Sequence, residues 1–261
     1  MKVKNVVKIM NFHSLLRVNS ARKRAEQLNT YEKELSNMLD NILNNKNLIL
    51  DKKGLIAPVG KNNLIIYIGS DYGFCSNFNS SVNEFLRKDQ VNDKIVIGKK
   101  LTKNVTNVIK YLDKENFVNE TDNINNYILD SLINSKYSGI KVIYNHYYNV
   151  NKIGLVEKVI FPIQPVKDEK EKKYTEDFIV EGNINDVLIN LVSLYIAYEI
   201  QIAESSSWAA ENVMRQMVTK ESLDKIEKME EEKEIEERNE KKSKDFKRII
   251  ENYNHISQKE E

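Results

Sequence analysis

From Asn183 to Glu261 the chain contains neither glycine nor proline. Nothing in that stretch breaks a helix. Apolar residues recur at three- and four-residue intervals through its first half, at Leu188, Leu191, Val192, Tyr195, Ile202, Ala209, Ala210, Val213 and Met217. The spacing predicts one very long helix. Roughly 70 residues at about 1.5 Å each span on the order of 100 Å, more than a compact domain of this size can cover. A rod of that length needs a partner along its side.

Residues 1–53 are suited to be that partner. They also lack glycine and proline, and they carry a heptad-like stripe of Val3, Val6 or Val7, Met10, Ala21, Ala25, Leu28, Tyr31, Leu35, Met38 or Leu39, and Ile42. Every glycine and proline lies between Gly54 and Gly182. The expected plan is two helical ends, 1–53 and 183–261, paired antiparallel, with a folded middle of residues 54–182 as their connector. Because the second helix is the longer, its renewed apolar stripe at Phe246, Ile249, Ile250, Tyr253 and Ile256 should project past the first and be covered by another protein.

The middle reads as α/β. Leu64–Ile68 is an apolar, β-branched run that ends in Gly69-Ser70-Asp71-Tyr72-Gly73, which suits a buried strand entering a turn. A short helix over Asn79–Lys88, a strand over Lys94–Ile97, helical segments at Leu101–Leu112 and Ile124–Ile133, and a strand at Ile140–Tyr144 follow. Leu155–Ile163 is extended, Asp168–Lys173 is a charged loop and Tyr174–Val180 is an edge strand. Alternation of this kind predicts a mainly parallel sheet.

Charge narrows the classes of function. With 40 basic and 39 acidic residues the net charge is +1, so no bulk attraction to nucleic acid follows. The distribution is uneven, however: before Glu26 there is no acidic residue, while Lys2, Lys4, Lys8, Arg17, Arg22, Lys23 and Arg24 are basic. Positive charge opposes the dipole at a helix N-terminus, so the run points to an acidic partner. A transit peptide shares this composition, but the stripe runs on to Ile42 with no small-residue cleavage site. No run approaches about 18 consecutive apolar residues, which predicts a soluble, intracellular chain.

Sites of chemistry are sparse. Gly-x-Gly-x-x-Gly is absent, and Gly98-Lys99-Lys100 lacks the rest of a P-loop. His13, His146 and His255 are dispersed, without metal-ligand spacing. The single cysteine, Cys75, reads as a small core residue, and the aromatic run Tyr144, His146, Tyr147 and Tyr148 as sheet packing with few basic neighbours.

A resemblance supplies what these residues alone do not. Ser70-Asp71-Tyr72-Gly73-Phe74-Cys75-Ser76-Asn77-Phe78-Asn79 is similar to the Ser-Asp-basic-Gly-Leu-Cys-Gly-small-aromatic-Asn motif of the gamma subunits, or central rotor shafts, of F-type ATP synthases. It matches at Ser70, Asp71, Gly73, Cys75, Phe78 and Asn79. Ser20–Ala25 resembles the basic stretch of that family's first shaft helix, and Ala210-Glu211 with Arg215 resembles its Ser/Ala-Glu-x-x-x-Arg. The chain departs from the family at Asn11, His13 and Ser14, at Tyr72, and at the end of the last helix.

The resemblance implies an antiparallel coiled coil over a Rossmann-like α/β foot, with no catalytic site, cofactor or metal of its own. ATP and magnesium would belong to a surrounding ring of three alpha and three beta subunits. Arg17, Arg22, Lys23, Arg24, Arg215, Phe246, Ile250 and Tyr253 would face that ring. An epsilon-like subunit and a membrane rotor ring would be further partners, with nucleic acid excluded, and the complex would lie on the cytoplasmic side of the membrane. Two alternatives stay open: a related ATPase that drives motility or export, and a coiled-coil adaptor with a ligand-binding α/β head.

Overall fold

The computed structural model describes residues 2–44, 60–163 and 182–257. The expected loop and edge strand at 168–180 lie outside the described residues. The elements are α1 (Lys2–Asn44), β1 (Asn62–Ile68), α2 (Phe78–Lys88), β2 (Asp93–Ile97), β3 (Val108–Leu112), α3 (Lys114–Asn119), α4 (Thr121–Ile133), β4 (Tyr137–Asn149), β5 (Lys152–Phe161) and α5 (Ile184–Ser257). They divide into two compact units, one of His13–Arg215 and one of Met1–Phe12 with Gln216–Glu261.

The larger unit is built on a five-stranded sheet of order β3-β2-β1-β4-β5. The first four strands are parallel, and β5 returns antiparallel along β4. Alternate side chains of the buried strands serve two cores. Leu64, Ile66, Ile68, Ile95, Ile97, Ile140 and Val142 pack with Leu39, Ile42 and Leu43 of α1, with Phe117, Ile124 and Ile128, and with Leu188, Val192, Ile196 and Ile200 of α5. Ile65, Tyr67, Val96 and Ile143 face the other way, onto Val82 and Leu86 of α2 and Leu101. Sequence periodicity misleads at Leu101–Leu112: its second half is the edge strand β3, where Ile109 and Tyr111 are exposed, and residues 101–107 form no helix.

Within this unit α1 and α5 run antiparallel. Arg24 meets Glu204, and seven residues further along α1, Tyr31 lies beside Tyr198, six residues back along α5. The seam on α1 is Ser14, Val18, Ala21, Ala25, Leu28, Glu32, Leu35, Leu39 and Ile42, an unbroken alternation of four- and three-residue steps. Tyr31 and Met38, expected in the stripe, are mostly exposed, and Leu39 takes the place offered to either Met38 or Leu39. From Ile196 to Val213 α5 is buried nearly all round, which its small residues Ala197, Ala203, Ser205, Ser206, Ser207, Ala209 and Ala210 permit. One 18-residue window of α5 is apolar enough on average to cross a membrane, but half of it is buried inside the protein, as in a core helix.

The smaller unit is also an antiparallel pair. Lys4 reaches Glu230 at 2.7 Å and Glu227 at 3.4 Å, while Asn11 Nδ2 donates to Gln216 O and Thr219 Oγ1, both at 3.0 Å. Its seam is therefore Lys4, Val7 and Asn11: Val7 takes the place offered to either Val6 or Val7, and Lys4 and Asn11 stand one residue on from the expected Val3 and Met10. Val3 and Val6 point outward. On α5 every side chain from Glu231 to Ile250 is exposed, Phe246 and Ile249 among them.

Candidate coupling site: the motif turn and the buried charges behind it

In a doubly wound sheet, ligands sit beyond the carboxyl ends of the strands where the strand order reverses. Here that point lies between β1 and β4, and the chain's own residues fill it. The segment after β1 folds back so that Asn79, at the start of α2, accepts from the Ser70 amide at 2.9 Å and donates to Ser70 Oγ at 2.8 Å. Ser70 Oγ donates in turn to Tyr72 O, with Cys75 Sγ 3.6 Å away. From the end of β4, Asn145 Nδ2 donates to Phe78 O at 2.7 Å, and Cys75 and Phe78 pack on Ala210 of α5.

The turn tolerates strain to take this shape, since Phe74 and Ser76 have φ of 60° and 50°, a region uncommon for residues with a Cβ. Gly98, at φ 125°, lies against it. A Cβ there would meet the Gly69 carbonyl carbon at 2.8 Å, so only glycine lets the two loops touch. Asp71 ties the turn to its neighbours. Its two carboxylate oxygens accept from the backbone amides of Lys99 (2.9 Å) and Lys114 (3.0 Å), the latter an otherwise unpaired amide in the first turn of α3.

Behind the turn stand charges that are seldom buried without partners. Glu211 and Arg215 of α5 are 2% and 5% exposed. Arg215 donates through Nη2 to Glu211 Oε1 (2.5 Å), through Nη1 to Asn212 Oδ1 (3.0 Å) and through Nε to Gly73 O (3.2 Å). Lys114 Nζ donates to Glu211 Oε2 at 2.6 Å. The shaft helix, α3 and the motif turn thus meet at one carboxylate. Beside them Glu204 pairs with Arg24 at 3.5 Å, and burial pushes its carboxyl up, against the opposing pull of Lys114 and Arg24. On the β4 side, Ser206 Oγ and Tyr144 OH lie 3.0 and 3.1 Å from His146 Nδ1, and the Tyr147 amide donates to Ser206 Oγ.

The structure separates the residues that the sequence grouped. Ser70, Asp71, Cys75 and Asn79 form one tied turn, with Gly73 as its open tip. Arg17, Arg22 and Lys23 are exposed, Arg22 lying 3.9 Å from Glu26, and Arg24 is half-buried. Arg215 is turned inward and spent on internal partners, so it offers no surface to another protein. Phe246 and Ile250 are exposed, and the side chain of Tyr253 lies outside the described residues. Lys114, Glu204 and His146 were missed as partners of the turn and the shaft. Their partners lie 60 residues or more away in the chain and left no local signal. Among the described residues no three His, Cys, Asp or Glu side chains are grouped to hold a metal ion.

Comparison with known proteins agrees with this architecture. The family model described as ATP synthase matches residues 1–244. The ATP synthase gamma chain of Mycoplasma mycoides is 28% identical over 228 residues, covering 79% of this chain and 80% of that one. That of the Wolbachia of Brugia malayi is 25% identical, with 86% of each covered. Among solved structures, a chain of the Tetrahymena thermophila mitochondrial ATP synthase central stalk and c-ring superposes with a TM-score of 0.59 at 16% identity, over 83% of this chain and 99% of that one. A chain of the Euglena gracilis enzyme gives 0.52 at 11% identity, over 97% and 95%. These two likenesses speak for the fold. With a match over nearly its whole length, the chain belongs to the ATP synthase family, as a divergent gamma-type chain.

Proposed function

We propose that this chain is the rotor shaft of a rotary ATPase, turning inside a ring of alpha and beta subunits that bind ATP and magnesium, and itself without a catalytic site. Residues 1–53 and 183–261 are its shaft and 54–182 its foot, where an epsilon-like subunit and a membrane rotor ring would attach. The complex would be peripheral to the cytoplasmic face of the membrane. The observation that carries this reading is the family match to gamma chains by a molecule whose two ends pair antiparallel.

Arg17, Arg22, Lys23 and Arg24 offer the ring a basic surface, and Phe246, Ile250 and Tyr253 an apolar one. Arg215 acts from inside, with Glu211 and Lys114, as the join through which twist in α5 reaches the foot. A stiff rod transmits twist only if its attachment does not yield, and a charge-assisted, buried, multidentate contact suits that demand.

Co-expression with the cognate alpha and beta subunits tests the reading. The expected product is a complex with one copy of this chain per hexamer. A hexamer that purifies without the chain would refute it.

A further inference from the structure

Beyond Glu230 the helix α5 has no neighbour among the described residues. Glu230 is half-buried and meets Lys4, near the start of α1, at 2.7 Å, whereas every side chain from Glu231 to Ile250 is exposed. A helix that is polar on all sides bridges two bodies, is laced by ion pairs along its own surface, or is not stable by itself.

Packing does not hold this stretch. Ile235 is the single apolar residue between Glu231 and Asp245, and Phe246, Ile249 and Ile250 are exposed. Lacing does not hold it either. Glu234 reaches Arg238 at 3.4 Å and Glu240 reaches Lys244 at 3.7 Å, between highly exposed side chains. Opposite pairs at this four-residue spacing are matched nearly one for one by like pairs, among them Glu230 with Glu234, Glu232 with Glu236, Glu236 with Glu240 and Lys244 with Arg248. Like pairs destabilise a helix about as much as opposite pairs stabilise it. What remains is helix propensity alone. Growth from the packed part of α5 escapes the cost of nucleation, but each added residue is close to neutral, so the stretch opens easily.

We infer that α5 from Glu231 to Ile250 is set as a lasting helix by docking: in the free chain it frays and re-forms, and it becomes a rod when the ring of partner subunits closes around it. The inference rests on the proposed rotor reading, in which Phe246 and Ile250 already face the ring. It assigns the stiffness of the shaft's end to the collar around it, and that of the rest to the packing of α1, α5 and the sheet. The ordering of the segment is then completed at assembly, as in other segments that fold on binding.

Hydrogen exchange of the backbone amides, followed by mass spectrometry, tests this in the full chain alone and in its complex with alpha and beta subunits. In the free chain, peptides over 231–250 should exchange within about tenfold of the unstructured rate, while those over Ile196–Val213, in the core, stay protected. In the complex, exchange over 231–250 should slow at least about a hundredfold. Glu236→Lys turns the like pairs with Glu232 and Glu240 into opposite ones and should slow exchange in the free chain about two- to fivefold. Protection that is already high in the free chain, or that rises with its concentration as pairing of two copies would make it, overturns the inference. So does an end that still exchanges freely in the complex or is indifferent to Glu236→Lys. If no complex forms on co-purification, the rotor reading itself fails, and the inference with it.

Discussion

Glu211 and Arg215 stand one helical turn apart on α5, and the same Glu211 carboxylate takes the Arg215 guanidinium at 2.5 Å and the Lys114 ammonium at 2.6 Å. Both oxygens are thereby used in a site almost closed to water, and Arg215 carries the connection on to Gly73 of the motif turn.

Glu211→Ala should therefore be costly. It would strand Arg215, and Lys114 with its side chain 14% exposed, in a low-dielectric setting. Removing one partner of a buried pair destabilises by about 3–5 kcal/mol. Equilibrium urea unfolding should show that loss, with Glu211→Gln falling between variant and parent. A loss under about 1 kcal/mol, the value of a surface pair, would mean that the buried join is not a structural one.

The Ser70–Asn79 contact gives a second, smaller effect. Asn79 both accepts from the Ser70 amide and donates to its hydroxyl, so Asn79→Ala leaves a buried amide unpaired. About 1–3 kcal/mol is expected. Asn79→Asp keeps the acceptor and loses the donor, and should retain part of the stability in the same unfolding experiment.

The contrast between these contacts and the shaft shows what the sequence made legible. Two glycine-free ends, a buried strand at Leu64–Ile68 and the Ser70–Asn79 motif announced the architecture, because each is a local pattern with a local cause. The phase of the N-terminal stripe was not legible. Val3 and Met10 look like a seam with either Val6 or Val7, yet Lys4 and Asn11 join Val7 in it, because Glu227, Glu230, Gln216 and Thr219 meet them from more than 200 residues away. Polar seam residues are decided by their partners, and a single chain read locally does not show them. Leu101–Leu112 failed for a related reason: an edge strand with one covered face has too short a pattern to be told from a helix. Arg215 looked like a partner-facing base for want of any sign that Glu211, Asn212 and Gly73 enclose it.

His146 gives the protein a pH dependence whose sign follows from its burial. Burial, and then the charge of Lys158, hold its imidazole below the usual value near 6.5. Ser206 and Tyr144 hydroxyl oxygens lie 3.0 and 3.1 Å from Nδ1, so these contacts must exchange donor and acceptor roles when that nitrogen takes a proton. A base depressed in the folded state contributes stability that is complete above the unfolded value and declines as pH falls through that value. Glu204 and Glu32, raised by burial, act oppositely: their contribution is present below the unfolded carboxylate value and is lost as pH rises through the folded one. The measurement is therefore a difference. Between pH 8 and pH 5 the wild-type unfolding free energy should fall relative to that of His146→Gln, and parallel curves would remove His146 from the account.

Stiffness is the property that a shaft cannot do without, and Met217 is where it can be tested with least harm to the core. Val213, one turn earlier, is 1% exposed, so a proline there would report on packing as much as on rigidity. Met217 is 42% exposed and still interior to α5. A proline at this position removes one helix hydrogen bond and collides with the preceding turn, at about 3 kcal/mol or more and with a kink. Met217→Pro should still assemble with the alpha and beta subunits, because the basic surface of α1 and the tied turn are unchanged. ATP-driven rotation of the assembled complex should lose torque and pause more often than with Met217→Ala, which trims the same side chain and leaves the helix straight. Rotation equal in the two variants would show that α5 does not carry the load, and the shaft would then have to be sought elsewhere in the complex.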